Sequence, residues 1–319
     1  MHALGWIIFG VIVVFMLGLD LGVFHRQARA VSLREAWTWM IVWVAIGLGF
    51  ALGVWAYLGK QRALEYVTAY LIEESLSVDN IFVFIVLFRF FAVPDELEHR
   101  VLFWGIIGAI VMRGVLIVAG TTLIKQFHWM TYIFGAILVF TGLKMLFSGG
   151  EQVHPERNPL LRAVRRLLPV TSNYEGQHFL VRRPSPTPSS DQSARGKLWA
   201  TPLLMVLLVV ESSDLLFALD SVPAVIGVNP HDPSTFIIVT SNIFAILGLR
   251  SLYFVVAGVL DKFRYLKVGL SFVLMFVGTK MIVTYWELDV PILWSLGVVG
   301  GLILVSVLAS MMIPPKNRV

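Results

Sequence analysis

Six carboxylates lie inside two apolar segments of the sequence, where a charged side chain is costly. The first segment, residues 69–88, reads AYLIEESLSVDNIFVFIVLF, and the second contains LLMVLLVVESSDLLFALDSVPAV. On insertion scales an ionised acid at the centre of a bilayer costs about 2.5–3.5 kcal/mol. The acids must therefore face the interior of a helix bundle, be partly protonated, or be matched by cations. They are Glu73, Glu74, Asp79, Glu211, Asp214 and Asp220.

The residue types available near these acids favour a cation with oxygen ligands. The chain has no cysteine, and its seven histidines fall at the ends of apolar segments or in loops. Carboxylate, amide, hydroxyl and carbonyl oxygens remain as ligands, including those of Asn80 and Ser221. An all-oxygen set suits Mn²⁺, Ca²⁺ or Mg²⁺ rather than Zn²⁺ or Cu⁺. A proton remains a candidate for the coupling ion.

Buried salt bridges are the structural alternative for these acids. Four cationic side chains lie within apolar segments, and six acids outnumber them by two, before Asp20 in the first apolar segment is counted. We therefore favour a cation site in which two arginines set the local charge when the ion is absent. The four cations are Arg113, Lys144, Arg250 and Lys280.

Helix geometry separates the acids within each segment. In both segments an acid shares a helical face with a polar residue seven positions later, whereas a second aspartate lies about 120° away. Either the interior-facing surface is wide or the helix is distorted between the acids. Pro223 favours a distortion in the second segment, because it cannot donate to the carbonyl of Leu219. The two sets are Glu73, Asn80 and Asp79, and Asp214, Ser221 and Asp220, with Glu211 one turn before Asp214.

The composition is that of a polytopic membrane protein. The chain is 57% hydrophobic and 14% charged, whereas soluble domains carry about a quarter charged residues. The absence of cysteine excludes disulfides, thiolate metal sites and CxxC redox chemistry. The net charge of +5 is attributed to Lys and Arg on inner loops, and not to a nucleic-acid partner. An intramembrane aspartyl protease would need a GxGD motif, which the sequence lacks, so no enzymatic activity is expected.

Hydropathy predicts an all-α fold with about nine transmembrane helices. The first span is interpreted as retained, because no basic region or cleavage site marks a signal peptide. With the N-terminus outside and the C-terminus inside, predicted inner segments hold 18 Lys and Arg residues and outer loops hold three, as the positive-inside rule requires. The spans are approximately 3–24, 36–58, 66–90, 97–124, 129–148, 198–222, 234–260, 264–286 and 290–313.

Spans 3–5 recur as spans 6–8. IFGAILVFTGLKMLF (133–147) aligns with GLSFVLMFVGTKMIV (269–283), and EESLSVDNIFVF aligns with DLLFALDSVPAV. The two copies start on opposite sides of the membrane and form an inverted repeat, an arrangement whose sites lie near the midplane between the repeats. The polar pairs are Glu73 with Asp214, Asp79 with Asp220, Asn80 with Ser221, and Arg113 with Arg250.

The repeat divides the chain into five parts. Two N-terminal spans (1–65) precede the first repeat (66–149), and a cytoplasmic loop (150–197) precedes the second repeat (198–286) and the last span with its tail (287–319). The loop is predicted to contain a basic amphipathic helix near 159–168 and a linker rich in Pro and Ser. The helix is interpreted either as lying on the inner leaflet or as an ordinary solvated connector.

The acidic motifs resemble those of the TerC family and, within it, the Alx branch of bacterial inner-membrane proteins. The matching stretches are YLIEESLSVDNIFVF, HFLVRR, ATPLLMVLLVVESSDLLFALDSVPAV and TSNIFAILGLRSLYFVVAG. The resemblance implies a nine-span fold related to LysE-type transporters and a role in Mn²⁺ export or homeostasis. It also implies the site acids Glu73, Asp79, Glu211, Asp214 and Asp220, with Asn80, Ser221 and Asn242 beside them. Asp20, Glu74, Arg113 and Arg250 are secondary candidates, and Glu74 stands where the family often has Lys.

We therefore expect an inner-membrane Mn²⁺ exporter that works by alternating access, with protons as a counter-ion. Two alternatives stay open: a transporter that exchanges Ca²⁺ or another divalent cation for protons, and a membrane partner that delivers metal to the secretion machinery. Export of an amino acid is disfavoured, because a net acidic site repels the carboxylate of that substrate. No tightly bound cofactor is expected, and the partners are the lipid bilayer and the transported ion.

Overall fold

The computed structural model describes residues 2–24, 32–147, 161–162, 166, 168–183, 197–258, 265–283 and 290–312, without the side chains of residues 2, 3, 20–24, 79, 183 and 197. Nine helices and one hairpin are defined within these residues. The helices are α1 (His2–Phe24), α2 (Leu33–Leu58), α3 (Lys60–Phe90), α4 (Asp95–Gln126), α5 (Met130–Phe147), α6 (Pro202–Ile226), α7 (Thr235–Gly258), α8 (Leu266–Val283) and α9 (Ile292–Met312). The hairpin pairs β1 (Leu180–Arg183) with β2 (Lys197–Ala200).

The all-α polytopic membrane fold predicted from hydropathy is confirmed. Seven helices, α2 and α4–α9, are long and apolar enough to cross a bilayer. The apolar part of α1 is shorter, Leu4–Leu19, and α3 carries the acidic motif, which lowers its hydropathy. Each predicted span overlaps one of the nine helices, whereas the count of nine spans and their orientation stay predictions.

Helix α6 begins a few residues later than predicted, because the end of the connection from α5 forms a strand. Lys197–Ala200 forms strand β2, so α6 begins at Pro202 and not near residue 198. Proline fits the first turn of a helix, because the N–H it lacks would have no partner there. The predicted Pro/Ser linker at 184–194 and most of the predicted amphipathic helix at 159–168 lie outside the described residues.

The segment before β1 packs on the N-terminal end of α4 and on the turn that precedes it. Arg100 donates to the side chain of Gln177 at 2.7 Å and lies over the ring of Phe179. The hydroxyl of Tyr174 donates to the carbonyl of Phe91 at 2.7 Å, and burial raises the pKa of that hydroxyl to about 12. Tyr174 therefore stays a neutral donor at physiological pH.

The helix packing has the two-fold pattern that the repeat predicts. Helix α3 packs on α7, and its counterpart α6 packs on α4; the equivalent pairs α3–α6, α4–α7 and α5–α8 are also in contact. α7 is the most enclosed of the candidate spans, since 83% of its apolar stretch is buried. The sides of α3 and α6 that bear the acids therefore lie inside the bundle.

Close glycine contacts between α5 and α8 obey the same symmetry. A Cβ added at Gly278 would lie 2.6 Å from the carbonyl oxygen of Gly135, and one added at Gly142 would lie 2.7 Å from that of Ser271. Gly142 aligns with Gly278, and Gly135 aligns with Ser271. The two contacts are therefore equivalent in the repeat, which supports the alignment read from the sequence.

Replacing Gly278 by alanine is expected to destabilise the protein. The new methyl group would meet the Gly135 carbonyl and the backbone nitrogen of Val139 at 2.9 Å, and backbone atoms cannot move aside without separating α5 from α8. Overpacking of this kind costs about 1–3 kcal/mol. Thermal unfolding in detergent measures the effect, with Gly300→Ala as the control, since a Cβ added there would have no described atom within 4 Å apart from its chain neighbours and the local helix backbone. Equal melting temperatures for the two variants would contradict the close packing.

Candidate cation site

Two acids, one from each repeat, meet at the side chain of Arg113. Arg113 lies on α4 and is fully buried, as is Glu73 on α3, and Asp214 on α6 is 3% exposed. The guanidinium holds Asp214 through both carboxylate oxygens, Nη2 to Oδ1 at 2.7 Å and Nε to Oδ2 at 3.1 Å. Its Nη1 forms an ion pair with Glu73 Oε1. One positive charge is thus shared by two buried negative charges.

A second aligned pair contacts the same guanidinium. The hydroxyl of Ser221 lies 3.4 Å from Arg113 Nη1. The amide of Asn80, oriented with its oxygen toward Arg113, accepts from Nη2 at 3.1 Å and donates to the carbonyl of Leu76 at 3.2 Å. Two of the aligned pairs, Glu73 with Asp214 and Asn80 with Ser221, therefore converge on Arg113. The counterpart of this residue, Arg250, is buried on α7.

Asn242 on α7 binds the other oxygen of Glu73. Its Nδ2 donates to Glu73 Oε2 at 2.7 Å, and both residues have no exposed surface. The Glu73 carboxylate is therefore held from α4 on one side and from α7 on the other. This contact places Asn242 beside the acids, as the sequence comparison implied.

Asp220 faces a different neighbour from Asp214. It is half-buried and accepts a hydrogen bond from the hydroxyl of Thr141 on α5 at 3.0 Å. Helix α6 continues through Pro223 to Ile226, so the proline does not end the helix, and a local distortion at Pro223 stays a prediction. The interior-facing surface of α6 is wide, because the helix directs Asp214 toward α4 and Asp220 toward α5.

Glu211 lies against a glycine of α4. Its half-buried carboxylate fills the space over Gly108, where an added Cβ would come within 2.0 Å of Oε1. In the described part of the chain it has no hydrogen-bond or ion-pair partner. Glu211 is therefore near Asp214, one turn earlier on α6, without being part of the contacts to Arg113.

Glu74 lies apart from these contacts. Its carboxylate accepts from the hydroxyl of Tyr70 at 2.7 Å and faces Gly248 on α7. The backbone of Asp79 belongs to α3 and that of Asp20 to α1, and both side chains lie outside the described residues. The role of these three acids in ion binding stays a prediction.

The side chains described do not form a ready metal shell. Among them, no three acids or histidines converge as metal ligands. Arg113 stands between Glu73 and Asp214, so the two carboxylates are held on opposite sides of a cation that the protein itself supplies. The arrangement is a closed ion pair, which another cation could enter only by competing with Arg113.

A polar network that the sequence reasoning missed ties α3 to the loop between α6 and α7. Glu65, 3% exposed, accepts from Arg62 Nη1 at 2.7 Å and from Asn229 Nδ2 at 2.9 Å. Arg62 also donates to the carbonyl of Asp232 at 3.1 Å and pairs with its carboxylate. Glu65 lines a cleft with Ala69 and Ile238, residues one turn before Glu73 and Asn242. The sequence signal that could have identified Glu65 was its position on α3, two helical turns before Glu73.

Comparisons with known proteins agree with these motifs. The model of the integral membrane protein TerC family matches residues 58–318. A membrane protein of Myxococcus xanthus, STKORF319, is 48% identical over 96% of this chain and 91% of its own length. Alx of Escherichia coli (strain K12), provisionally named a membrane-bound redox modulator, is 43% identical over 94% of this chain and 92% of its own length. No solved structure matches. The chain is a multi-pass membrane protein that belongs to the TerC family.

Proposed function

We propose that the chain is a divalent cation transporter of the bacterial inner membrane, with Mn²⁺ as its exported substrate. The observation that carries the proposal is the meeting of two buried carboxylates, Glu73 and Asp214, at one guanidinium between the two repeats. A buried acid pair needs compensating charge, and two carboxylates match the charge of one divalent ion when Arg113 moves away. A relationship to LysE-type transporters forms part of the proposal.

The oxygen chemistry of the site supports Mn²⁺ or Ca²⁺ over softer ions. Carboxylate, amide and hydroxyl groups surround Arg113, and such ligands suit hard or borderline divalent cations. The redox role in the provisional name of Alx has no thiol to act through in this chain, because the sequence contains no cysteine. We propose no enzymatic activity and no bound cofactor.

Transport would follow from alternating access between the repeats. In the predicted N-out, C-in orientation the N-terminal end of α3 would lie outside, so the network of Arg62, Glu65, Asn229 and Asp232 would close the outer side above Glu73. Opening it would release α3 from the α6–α7 loop and connect the ion to the outside. Arg113 would return to Glu73 and Asp214 after the ion leaves, with protons as a coupling ion.

Cross-linking the outer network is expected to stop transport. Glu65→Cys with Asn229→Cys places two thiols where the native side chains touch, in a chain that has no cysteine of its own. A short bifunctional thiol reagent should then abolish Mn²⁺ flux, and a reductant that cleaves the bridge should restore it. The same variant before treatment and each single-cysteine variant are the controls. Flux that continues in the cross-linked protein would show that this network does not gate transport.

The function itself is tested with everted membrane vesicles that contain an Mn²⁺ reporter. Export from a cell corresponds to uptake into such vesicles, so vesicles with the protein should accumulate Mn²⁺ faster than vesicles without it. Ca²⁺ and Mg²⁺, tested in parallel, define which ion is preferred. Uptake of no divalent cation above the background would contradict the proposed function.

A further inference from the structure

We propose that Ser77 provides a neutral oxygen ligand to the cation that binds at Glu73, in addition to Asn242, which the family resemblance already implies as a site residue. The inference rests on the proposed function and deepens it, because it names ligands of the ion beyond the acids. Ser77 was not among the residues singled out by the sequence, although it lies one helical turn after Glu73. Ser77 and Asn242 are both fully buried, and each has an oxygen atom without a hydrogen-bond partner among the described residues.

The hydroxyl of Ser77 differs from most helical hydroxyl groups in the described part of the chain, where Ser295, on the acid-free helix α9, is the other buried serine whose Oγ has no hydrogen-bond partner. Ser75, Thr121 and Ser306 each donate to the carbonyl one turn earlier, at 2.6, 2.8 and 2.7 Å. Ser77 has no exposed surface, and its Oγ has no hydrogen-bond partner within the described part of the chain. A buried hydroxyl without a partner is costly, so its retention one turn from Glu73 indicates a ligand that is bound for part of the cycle.

The side-chain oxygen of Asn242, like the hydroxyl of Ser77, has no hydrogen-bond partner among the described residues. A carboxylate only accepts hydrogen bonds, so the bond to Glu73 Oε2 comes from the amide nitrogen, and Oδ1 takes no part in it. In the described part of the chain this oxygen is buried and accepts no hydrogen bond. The residue therefore positions Glu73 with one end and offers an oxygen with the other.

The number of oxygens fits a hard divalent ion. Glu73 and Asp214 supply at most four carboxylate oxygens, and the two neutral oxygens raise the total to six. Six oxygens in an octahedral arrangement are typical of Mg²⁺, Ca²⁺ and Mn²⁺ sites. A proton needs no such shell, so neutral ligands at Glu73 distinguish a metal substrate from a proton that merely titrates the acid. Neutral oxygens also add no negative charge to a buried site that Arg113 must balance when the ion is absent.

The first test compares Ser77→Ala with Ser75→Ala in the Mn²⁺ uptake assay. Ser77 makes no hydrogen bond before the ion binds, so its replacement should leave thermal stability unchanged while raising the KM for Mn²⁺ on the order of tenfold, as loss of a group that supports a metal does. Ser75 lies on the same buried helix and already donates to Leu71. Ser75→Ala should therefore keep the KM of the wild type.

The second test uses cysteine at the same two positions. Because the chain has no cysteine, Ser77→Cys introduces a single thiol, which prefers the soft ion Cd²⁺ over Mn²⁺. Cd²⁺ should then inhibit Mn²⁺ uptake by Ser77→Cys at concentrations that leave the wild type and Ser75→Cys unaffected. This gain of sensitivity does not depend on how well Ser77→Ala folds.

The outcomes separate this inference from the proposed function. If the wild type takes up no divalent cation, the proposed function fails and the ligand assignment fails with it. If the wild type transports Mn²⁺ but Ser77→Ala keeps its KM, or Ser77→Cys gains no sensitivity to Cd²⁺, the ligand assignment alone is wrong. A raised KM together with Cd²⁺ sensitivity confined to position 77 supports it.

Discussion

Replacing Arg113 by leucine is expected to make the stability of the protein depend on Mn²⁺. The substitution leaves Glu73 and Asp214 buried without the guanidinium that both contact. Removing one partner of a buried ion pair costs about 3–5 kcal/mol, because the remaining charge is uncompensated. The melting temperature of Arg113→Leu without added metal should therefore fall well below that of the wild type.

Mn²⁺ should then restore much of the lost stability. A ligand present at 100 times its Kd stabilises the folded state by about 2.7 kcal/mol. In Arg113→Leu the ion meets no competing cation, so its stabilising effect should exceed the effect on the wild type. Thermal unfolding in detergent with and without Mn²⁺ measures both.

The same substitution at another arginine provides the control. Arg100→Leu also removes a partly buried guanidinium, the one that binds Gln177 on the loop before β1. It should lower stability without making stability respond more strongly to Mn²⁺. If Arg113→Leu is equally unresponsive, Arg113 is a structural ion-pair partner and does not mark a cation site.

Much of the fold could be predicted from the sequence, because bilayer thickness and hydrophobicity constrain helices strongly. The sequence aligned Gly142 with Gly278, and the structure places both glycines at equivalent close contacts between α5 and α8. The exception was the start of α6, where Leu198 and Trp199 are apolar but belong to strand β2. From hydropathy alone, apolar residues next to a span cannot be assigned either to the helix or to a neighbouring strand.

The members of the site were largely predictable, but their contacts were not. Intramembrane charge identified Glu73 and Asp214, since few alternatives explain a buried acid. Which cation stands between them depends on helix packing: Arg113 and Arg250 are equivalent in the repeat, and Arg113 is the one seen in contact with both acids.

Polar residues outside the acidic motifs gave weaker signals. Gly108, which makes room for the carboxylate of Glu211, looks like any other glycine of an apolar helix. Ser77 could have been found from its position one turn after Glu73. That its hydroxyl lacks the usual carbonyl partner is visible only in three dimensions.

Loss of transport on neutralising the paired acids is the second large effect that we expect. Glu73→Gln and Asp214→Asn keep the size of each side chain but remove a charge, so a divalent ion would face a single carboxylate beside Arg113. A positive charge would then be left over at the site, and electrostatic repulsion would oppose ion entry. Each substitution should reduce Mn²⁺ transport to the background, whereas thermal stability shows whether the variant still folds.

The most direct test of the site is Mn²⁺ uptake by everted vesicles that contain the wild type, Glu73→Gln, Asp214→Asn or the control Glu96→Gln. Glu96 is an exposed acid in the first turn of α4 and contacts neither repeat acid. We expect the wild type and Glu96→Gln to accumulate Mn²⁺ at the same rate and the two site variants to match vesicles without the protein. Wild-type uptake by folded Glu73→Gln and Asp214→Asn would contradict the conclusion that these two acids carry the ion.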